Sequence, residues 1–239
     1  MSELQSCLLR RETVAEGTVA FHLQKPNGFV FKPGQAIDLV LDAPELGEDL
    51  KRHAFSIVSA PDENELTITT RMRDSAYKHV LASLQAGGKV GIDGPFGSMT
   101  LHNNVSRPAC FIAGGIGITP FMSMLRHACR VHSAHRLVLI YSNRRPKDAA
   151  FLPELQEMSR TNDHFRLVAT MTDTDDSTAE WAGERRRIDA PFLASVLADL
   201  PSAITYVTGP PAMVAAVRAA LTDAGIDEDD VRSEEFFGY

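Results

Sequence analysis

Apolar positions recur with two different periods along this 239-residue chain. Up to about residue 103 they form short runs, 38–42, 54–59, 65–73 and 89–93, each bounded by Pro, Gly or Asp/Asn clusters. In 65–73, Leu66, Ile68, Thr70 and Met72 alternate with Thr67, Thr69, Arg71 and Arg73, which predicts a strand with one buried and one polar face. This spacing predicts an antiparallel sandwich or barrel. One helix interrupts it: Ser75 stands at the N-cap, Tyr77, Val80, Leu81 and Leu84 fall at i, i+3, i+4 and i+7, and Gly87-Gly88 end the pattern.

From residue 107 the pattern changes. Apolar runs at 109–113, 137–141, 166–170 and 204–207 are continuous rather than alternating, and helical patterns at 120–131, 148–159, 191–200 and 211–224 separate them. Strands apolar on both faces are buried on both faces, so this half predicts a parallel sheet covered by helices. Two domains follow, 1–103 and 107–239. Ligands of such a sheet bind at the carboxyl ends of its strands. At the first such end, Gly114-Gly115-Ile116-Gly117 turns the chain toward a helix, as a site for a pyrophosphate requires. It is not a GxGxxG fingerprint, because Pro120 stands three residues after Gly117.

Composition and charge narrow the function. The apolar stretch 110–125 is broken by glycines and a proline and is shorter than the roughly 20 residues of a membrane span. The first residues carry early charges and no apolar core of an export signal, so a cytoplasmic protein is expected. Cys7, Cys110 and Cys129 form no CxxC pair and are too few for the four thiolates of an iron–sulfur cluster, so any cluster is expected on a partner. A net charge of −7 disfavours nucleic acid. His132 and His135 lie where a helical pattern ends, and no metal site is expected there. The acidic loop 42–49 reads as a solvated turn or a docking surface.

Several stretches taken in order carry more information than any one. Pro33-Gly34-Gln35 precedes a strand, the segment from Arg52 through Ala54-Phe55-Ser56 to Ser59 forms the next, and Ser75-Ala76-Tyr77 opens the helix. Gly-Gly-x-Gly-Ile-Thr-Pro runs from Gly114 to Pro120, and Thr208-Gly209-Pro210 ends the last buried strand. Together these resemble the ferredoxin–NADP reductase superfamily over nearly the whole chain. The resemblance implies a β-barrel that binds FAD, an α/β domain that binds NAD(P)H, and hydride transfer from nicotinamide to flavin with electrons passed to ferredoxin or flavodoxin. A flavin, ferric or quinone reductase, the reductase component of an oxygenase, and a flavin-binding sensor subunit are the alternatives.

By the same resemblance Phe55 packs on the flavin, Ser56 hydrogen-bonds near its N5, and Ser59, Ser75, Ala76 and Tyr77 reach toward its phosphates. Ala54 and Arg71 belong to the same flavin-binding set. The position of the family's phosphate-binding arginine holds His53, and Arg52 lies one residue further, so either residue is a candidate. Gly115, Gly117, Thr119, Gly209 and Pro210 are expected on the dinucleotide, with Thr208 in place of a cysteine beside the nicotinamide. Ser142, Asn143 and Arg144, at the end of the second buried strand, suit a 2′-phosphate better than a ribose hydroxyl, which favours NADPH while leaving NADH open. Arg185, Arg186 and Arg187 are a further basic cluster. In the C-terminal segment Glu235 is expected in the N5-side network and Phe236 as the aromatic cover of the flavin, with Tyr239 as the other candidate.

Overall fold

A computed structural model describes residues 3–173 and 181–237. Two compact units divide it, one made of residues up to Thr100 together with Thr119–His127, the other of Leu101–Ile118 and the residues from Ala128 onward.

The first unit holds strands β1 (Leu4–Ala15), β2 (Thr18–Gln24), β3 (Ala36–Val40), β4 (Arg52–Ser56), β5 (Glu65–Arg71) and β6 (Lys89–Phe96) and helix α1 (Ala76–Ser83). All strand pairs are antiparallel, in the order β4-β3-β6-β1-β2-β5. The ends of that order meet, because Ile57 bridges Ile68 and the Val58 N–H donates to the Thr67 carbonyl at 2.8 Å. The sheet therefore closes on itself into a barrel at that end. Phe21, Leu23, Ile37, Leu39, Ile57, Leu66, Ile68 and Ile92 fill it and are fully buried. Burying one such side chain is worth about 1.5–3 kcal/mol.

Two departures from the pattern appear here. The alternation of β5 predicts one polar face, yet Thr67 and Thr69 are buried as well. Their hydroxyls make this tolerable where a partner exists, as between Thr67 Oγ1 and His22 Nδ1 at 3.1 Å. Strand β1 is not marked by the apolar pattern, because its outer half is charged and exposed, and β2, though largely buried, carries Thr18 and His22 among its buried residues. Arg10 of β1 pairs with Glu12 (3.2 Å) and Glu65 (3.0 Å).

The second unit holds a parallel sheet ordered β11-β10-β7-β8-β9, from β7 (Ala109–Gly114), β8 (Leu137–Asn143), β9 (Phe165–Met171), β10 (Ile204–Gly209) and β11 (Val231–Glu235). The chain passes from β7 through a tight turn, Gly115–Ile118, into helix α2 (Thr119–Arg130). Helices α3 (Leu152–Thr161), α4 (Ala190–Leu197) and α5 (Pro211–Asp223) complete the fold. Cys110, Ile112, Val138, Ile140 and Val207 pack with Phe192, Leu193 and Val196 of α4 and Val214, Val217 and Leu221 of α5. Phe111, Leu139, Tyr141 and Tyr206, of the opposite parity, are fully buried too, as continuous apolar strands demand. Burial pushes the Cys110 thiol up to about 12, so it is an inert core side chain. Among the described residues no helix is long and apolar enough to cross a membrane.

A buried polar knot lies in this unit. The Tyr206 hydroxyl accepts from the His102 N–H (2.9 Å) and from Arg232 Nη1 (3.2 Å), and it faces His102 Nδ1 at 2.9 Å. His102 Nε2 faces the Arg107 carbonyl at 3.0 Å. Only the neutral tautomer with its proton on Nε2 satisfies every contact, since Nδ1 must then accept the tyrosine proton. Burial lowers the His102 pKa, in keeping with that state.

Candidate cofactor-binding sites

In the first unit the expected flavin-binding residues lie on β4 and at the start of α1. Gly34 precedes β3 at φ +94°, and a Cβ there would stand 2.1 Å from the Met99 carbonyl oxygen. Only glycine fits the Pro-Gly-Gln turn, for conformation and for space. Along β4 the side chains alternate, and the two candidates for phosphate contact part company. Arg52 donates from Nη1 to Asp38 (3.2 Å) and Asp93 (2.6 Å), and those carboxylates hold it on one face. His53 is on the other face, its ring 4.5 Å from that of Tyr77 and 6.3 Å from that of Phe55. No ring nitrogen of His53 hydrogen-bonds to another described residue. Burial first, and Lys78 second, lower its pKa, so at neutral pH it offers one N–H and one lone pair.

Ser75 caps α1 by accepting the Lys78 N–H at 3.3 Å, which leaves its own hydroxyl proton for a ligand. The N–H groups of Ala76 and Tyr77 belong to the first turn and have no partner along the helix. Tyr77 is buried and its hydroxyl donates to the Leu39 carbonyl at 2.9 Å, so its ring is held in place. Ser56 is half-buried at the end of β4, opposite Ala36, and Ala54 is exposed opposite Asp38. Arg71 ends β5 opposite Thr18 and is half-buried. An imidazole with unengaged nitrogens, two aromatic rings and a helix start are a donor set that fits a flavin dinucleotide.

Ser59 corrects the expectation. It is fully buried, its hydroxyl accepts the Thr67 N–H at 3.0 Å, and its carbonyl accepts from Ser123 Oγ at 2.7 Å. Barrel closure through Ile57 and Val58 turns its side chain inward, onto β5.

In the second unit the expected residues gather at the carboxyl ends of β7, β8 and β10. Gly115, at the start of the turn, is half-buried, and Gly117 is buried. A Cβ on Gly117 would stand 2.4 Å from the Thr208 carbonyl oxygen, so the turn and the end of β10 touch backbone to backbone. Thr208 is already engaged. It is fully buried and its hydroxyl donates to the Gly117 carbonyl, so the hydroxyl fastens the turn. Gly209 follows, packed on Gly114, and exposed Pro210 leads into α5. Thr119, which belongs to the first unit, is buried at the first position of α2.

Ser142 pairs with Gly114 in the ladder and Asn143 ends β8. The Asn143 side chain is buried, yet neither Oδ1 nor Nδ2 has a hydrogen-bond partner among the described residues. A buried amide without partners at a strand end fits a polar ligand, here the adenosine end of a dinucleotide. Arg144 is exposed, and Arg145 is bound to Asp148 through Nε (2.9 Å) and Nη2 (2.8 Å). Of the further basic cluster, Arg186 is taken up by Asp189 at 2.8 Å.

The C-terminal segment is strand β11 as far as Glu235, which pairs with Gly209, and the Phe236 N–H donates to the Gly209 carbonyl at 2.9 Å. Two residues that the sequence reading did not single out stand beside the expected ones. Glu234 has a largely exposed surface but enough surrounding protein to push its carboxyl above the usual range. Phe237 is 74% exposed, the most open aromatic side chain among the described residues. The paired Glu-Glu and Phe-Phe were the signal, since neighbours on an extended chain point opposite ways and only one of each can face a ligand. Tyr239 lies outside the described residues.

A family model described as the oxidoreductase NAD-binding domain matches residues 111–219. Ferredoxin–NADP reductase B of Sorangium cellulosum is 31% identical over 227 residues, 91% of this chain and 90% of that protein. The glycine betaine monooxygenase reductase subunit of Chromohalobacter salexigens is 29% identical over 229 residues, 95% of this chain but 61% of that protein. Among solved structures, a ferredoxin NADP+ reductase from Neisseria gonorrhoeae with bound FAD and NADP matches in fold. Its TM-score is 0.80 over 99% of this chain and 100% of that one, at 20% identity.

Proposed function

We propose that this chain, which belongs to the ferredoxin–NADP reductase family, draws electrons from NADPH through FAD and delivers them singly to a ferredoxin- or flavodoxin-type acceptor. It is a flavin-dependent NAD(P)H oxidoreductase. When bound, FAD would supply the chemistry that links a two-electron donor to a one-electron acceptor. The chain's own residues bind and orient. His53, Ser75 and the N–H groups of Ala76 and Tyr77 would hold the flavin phosphates, with Phe55 beside the ring and the Ser56 hydroxyl near N5. Gly115 and Gly117 would line the pyrophosphate of the pyridine nucleotide, with Ser142, Asn143 and Arg144 toward its adenosine. Glu235 or Glu234 would supply the carboxyl of the N5-side network, and Phe236 or Phe237 the covering ring.

What supports this reading is that the residues expected on the dinucleotide fall at the carboxyl ends of β7, β8 and β10, where a parallel sheet presents its ligand. That the sequence holds three cysteines and no CxxC pair fits a cytoplasmic setting and an acceptor with its own iron–sulfur centre. The oxygenase relatives favour a second reading, in which the acceptor is an oxygenase partner; the chain spans about six-tenths of the length of the glycine betaine relative.

Anaerobic stopped-flow mixing of the flavin-loaded protein with NADPH tests the proposal. Bleaching of the flavin followed by reoxidation with ferredoxin or flavodoxin is expected. No bleaching leaves only a binding role, and reoxidation confined to an oxygenase component, a ferric chelate or a quinone moves the acceptor to that class.

A further inference from the structure

The end of β8 carries no acidic residue, but a carboxylate reaches it from the next strand. β9 runs parallel to β8 as far as Asn143 opposite Met171. Beyond the ladder the Thr172 N–H donates to the Asn143 carbonyl (3.0 Å) and the Asp173 N–H to the Arg144 carbonyl (2.8 Å). These two bonds lay Asp173 alongside Arg144, and Arg144 Nη2 donates to Asp173 Oδ2 at 2.8 Å. The side chains differ in exposure, 77% for Arg144 and 32% for Asp173, so the acid is seated and the base is the open partner. Arg145 next to it is committed to Asp148 by two side-chain bonds. A 2′-phosphate arriving at Arg144 must therefore compete with a carboxylate for the same guanidinium face.

We propose that Asp173 sets the choice between NADPH and NADH, by holding Arg144 against a 2′-phosphate and by accepting a ribose 2′-hydroxyl. The inference rests on the reading that NAD(P)H binds at the carboxyl ends of β7 and β8. An acidic residue accepting the ribose hydroxyls is how dinucleotide folds take NADH, and an arginine is how they take the 2′-phosphate. Here the two are tied to each other. The enzyme consequently discriminates weakly between the coenzymes, and the strength of the tie sets the ratio. The unpartnered amide of Asn143, on the residue before Arg144, marks the same strand end as a place where a polar ligand is received.

Asp173→Asn and Arg144→Gln test this by two measurements. The first is calorimetric binding of adenosine 2′,5′-bisphosphate and of AMP, which needs no flavin turnover. The second is kcat/KM for NADPH and NADH on the same preparation, where each coenzyme controls for folding in the other. Asp173→Asn is expected to tighten the bisphosphate about tenfold, and to raise the NADPH/NADH ratio by a similar factor, as expected for removing one charge from a charge-assisted pair. Arg144→Gln is expected to lower the ratio. Bisphosphate affinity and coenzyme ratio both unchanged in Asp173→Asn, with wild type still binding the bisphosphate, overturn the role of Asp173. Neither nucleotide binding to the wild type overturns instead the assignment of the site on which the inference rests.

Discussion

The two cofactor sites are built from different materials. On the barrel unit the candidate site is made of side chains: the imidazole of His53, the rings of Phe55 and Tyr77, and the hydroxyl of Ser75. On the parallel-sheet unit the glycine turn at its centre is made of backbone, with Gly117 against the Thr208 carbonyl and Gly209 against Gly114. A site made of side chains tolerates exchange, since another donor can project from the same position on a strand. A site made of touching backbones tolerates none, because even one methyl group has nowhere to go. The two departures from the family pattern show this difference. His53 stands where arginine is usual and keeps a donor in place, whereas Thr208 has turned its side chain inward to fasten the turn.

The contrast is broken or sharpened by substitution, the largest effect coming first. Gly117→Ala puts a Cβ 2.4 Å from the Thr208 carbonyl oxygen. Forcing the turn aside by such overpacking costs about 3 kcal/mol. A displacement of that kind is expected to lower kcat/KM for NAD(P)H about 100-fold, while flavin content holds. An alanine variant with wild-type kcat/KM would show that the turn yields like a side-chain site.

His53→Ala removes one hydrogen bond to a phosphate, and flavin affinity by fluorescence titration is expected to fall about tenfold. Arg52→Gln leaves the affinity within about twofold, since an exposed ion pair contributes little. The sign with pH follows from the lowered pKa of His53. A phosphate favours its charged form, so flavin should bind more tightly as pH falls from about 8 toward 6, and the His53→Ala variant should lose that slope. The opposite ranking of the two variants would place the phosphate on Arg52.

The smallest effect concerns the knot around His102. Its pKa is lowered by burial, so the unfolded chain takes the proton more readily than the folded one. Stability is therefore full above the ordinary histidine value and is lost as pH falls through the lowered one. The charges of Arg232 and Arg107 act in the same direction, while the hydrogen bonds to the backbone of Arg107 and Asn104 act against it. Thermal melting from about pH 8 to pH 5 is expected to show His102→Gln losing about 2–4 °C less than the wild type, the shift that one kcal/mol makes in a domain of this size. Equal losses would remove the histidine from the account.

Much of this was legible before any coordinates. Four strands of the parallel sheet were marked by apolar runs, and in β7, β8 and β10 burial on both faces makes those runs nearly continuous. Helix α1 was marked by its cap and stripe. What escaped notice was polar for a reason: the outer half of β1 is charged and exposed, and β11 is an exposed edge strand whose pairing is done by backbone, which no side-chain pattern records. Ser59 and Thr208 were rightly seen as belonging near the ends of strands, but whether a hydroxyl faces a ligand or a neighbouring carbonyl depends on which segment closes over it.

By itself, then, the order of residues determined the two kinds of sheet, the glycine turn and the family, because periodicity and short motifs are local and survive in a one-dimensional string. Only the tertiary structure decided which side chains are available. It committed Arg52 to Asp38 and Asp93, left the His53 nitrogens open, and brought Asp173, 29 residues away, onto Arg144. Parallel register between β8 and β9 makes that last meeting, and register is a property of two strands together that neither strand's sequence contains.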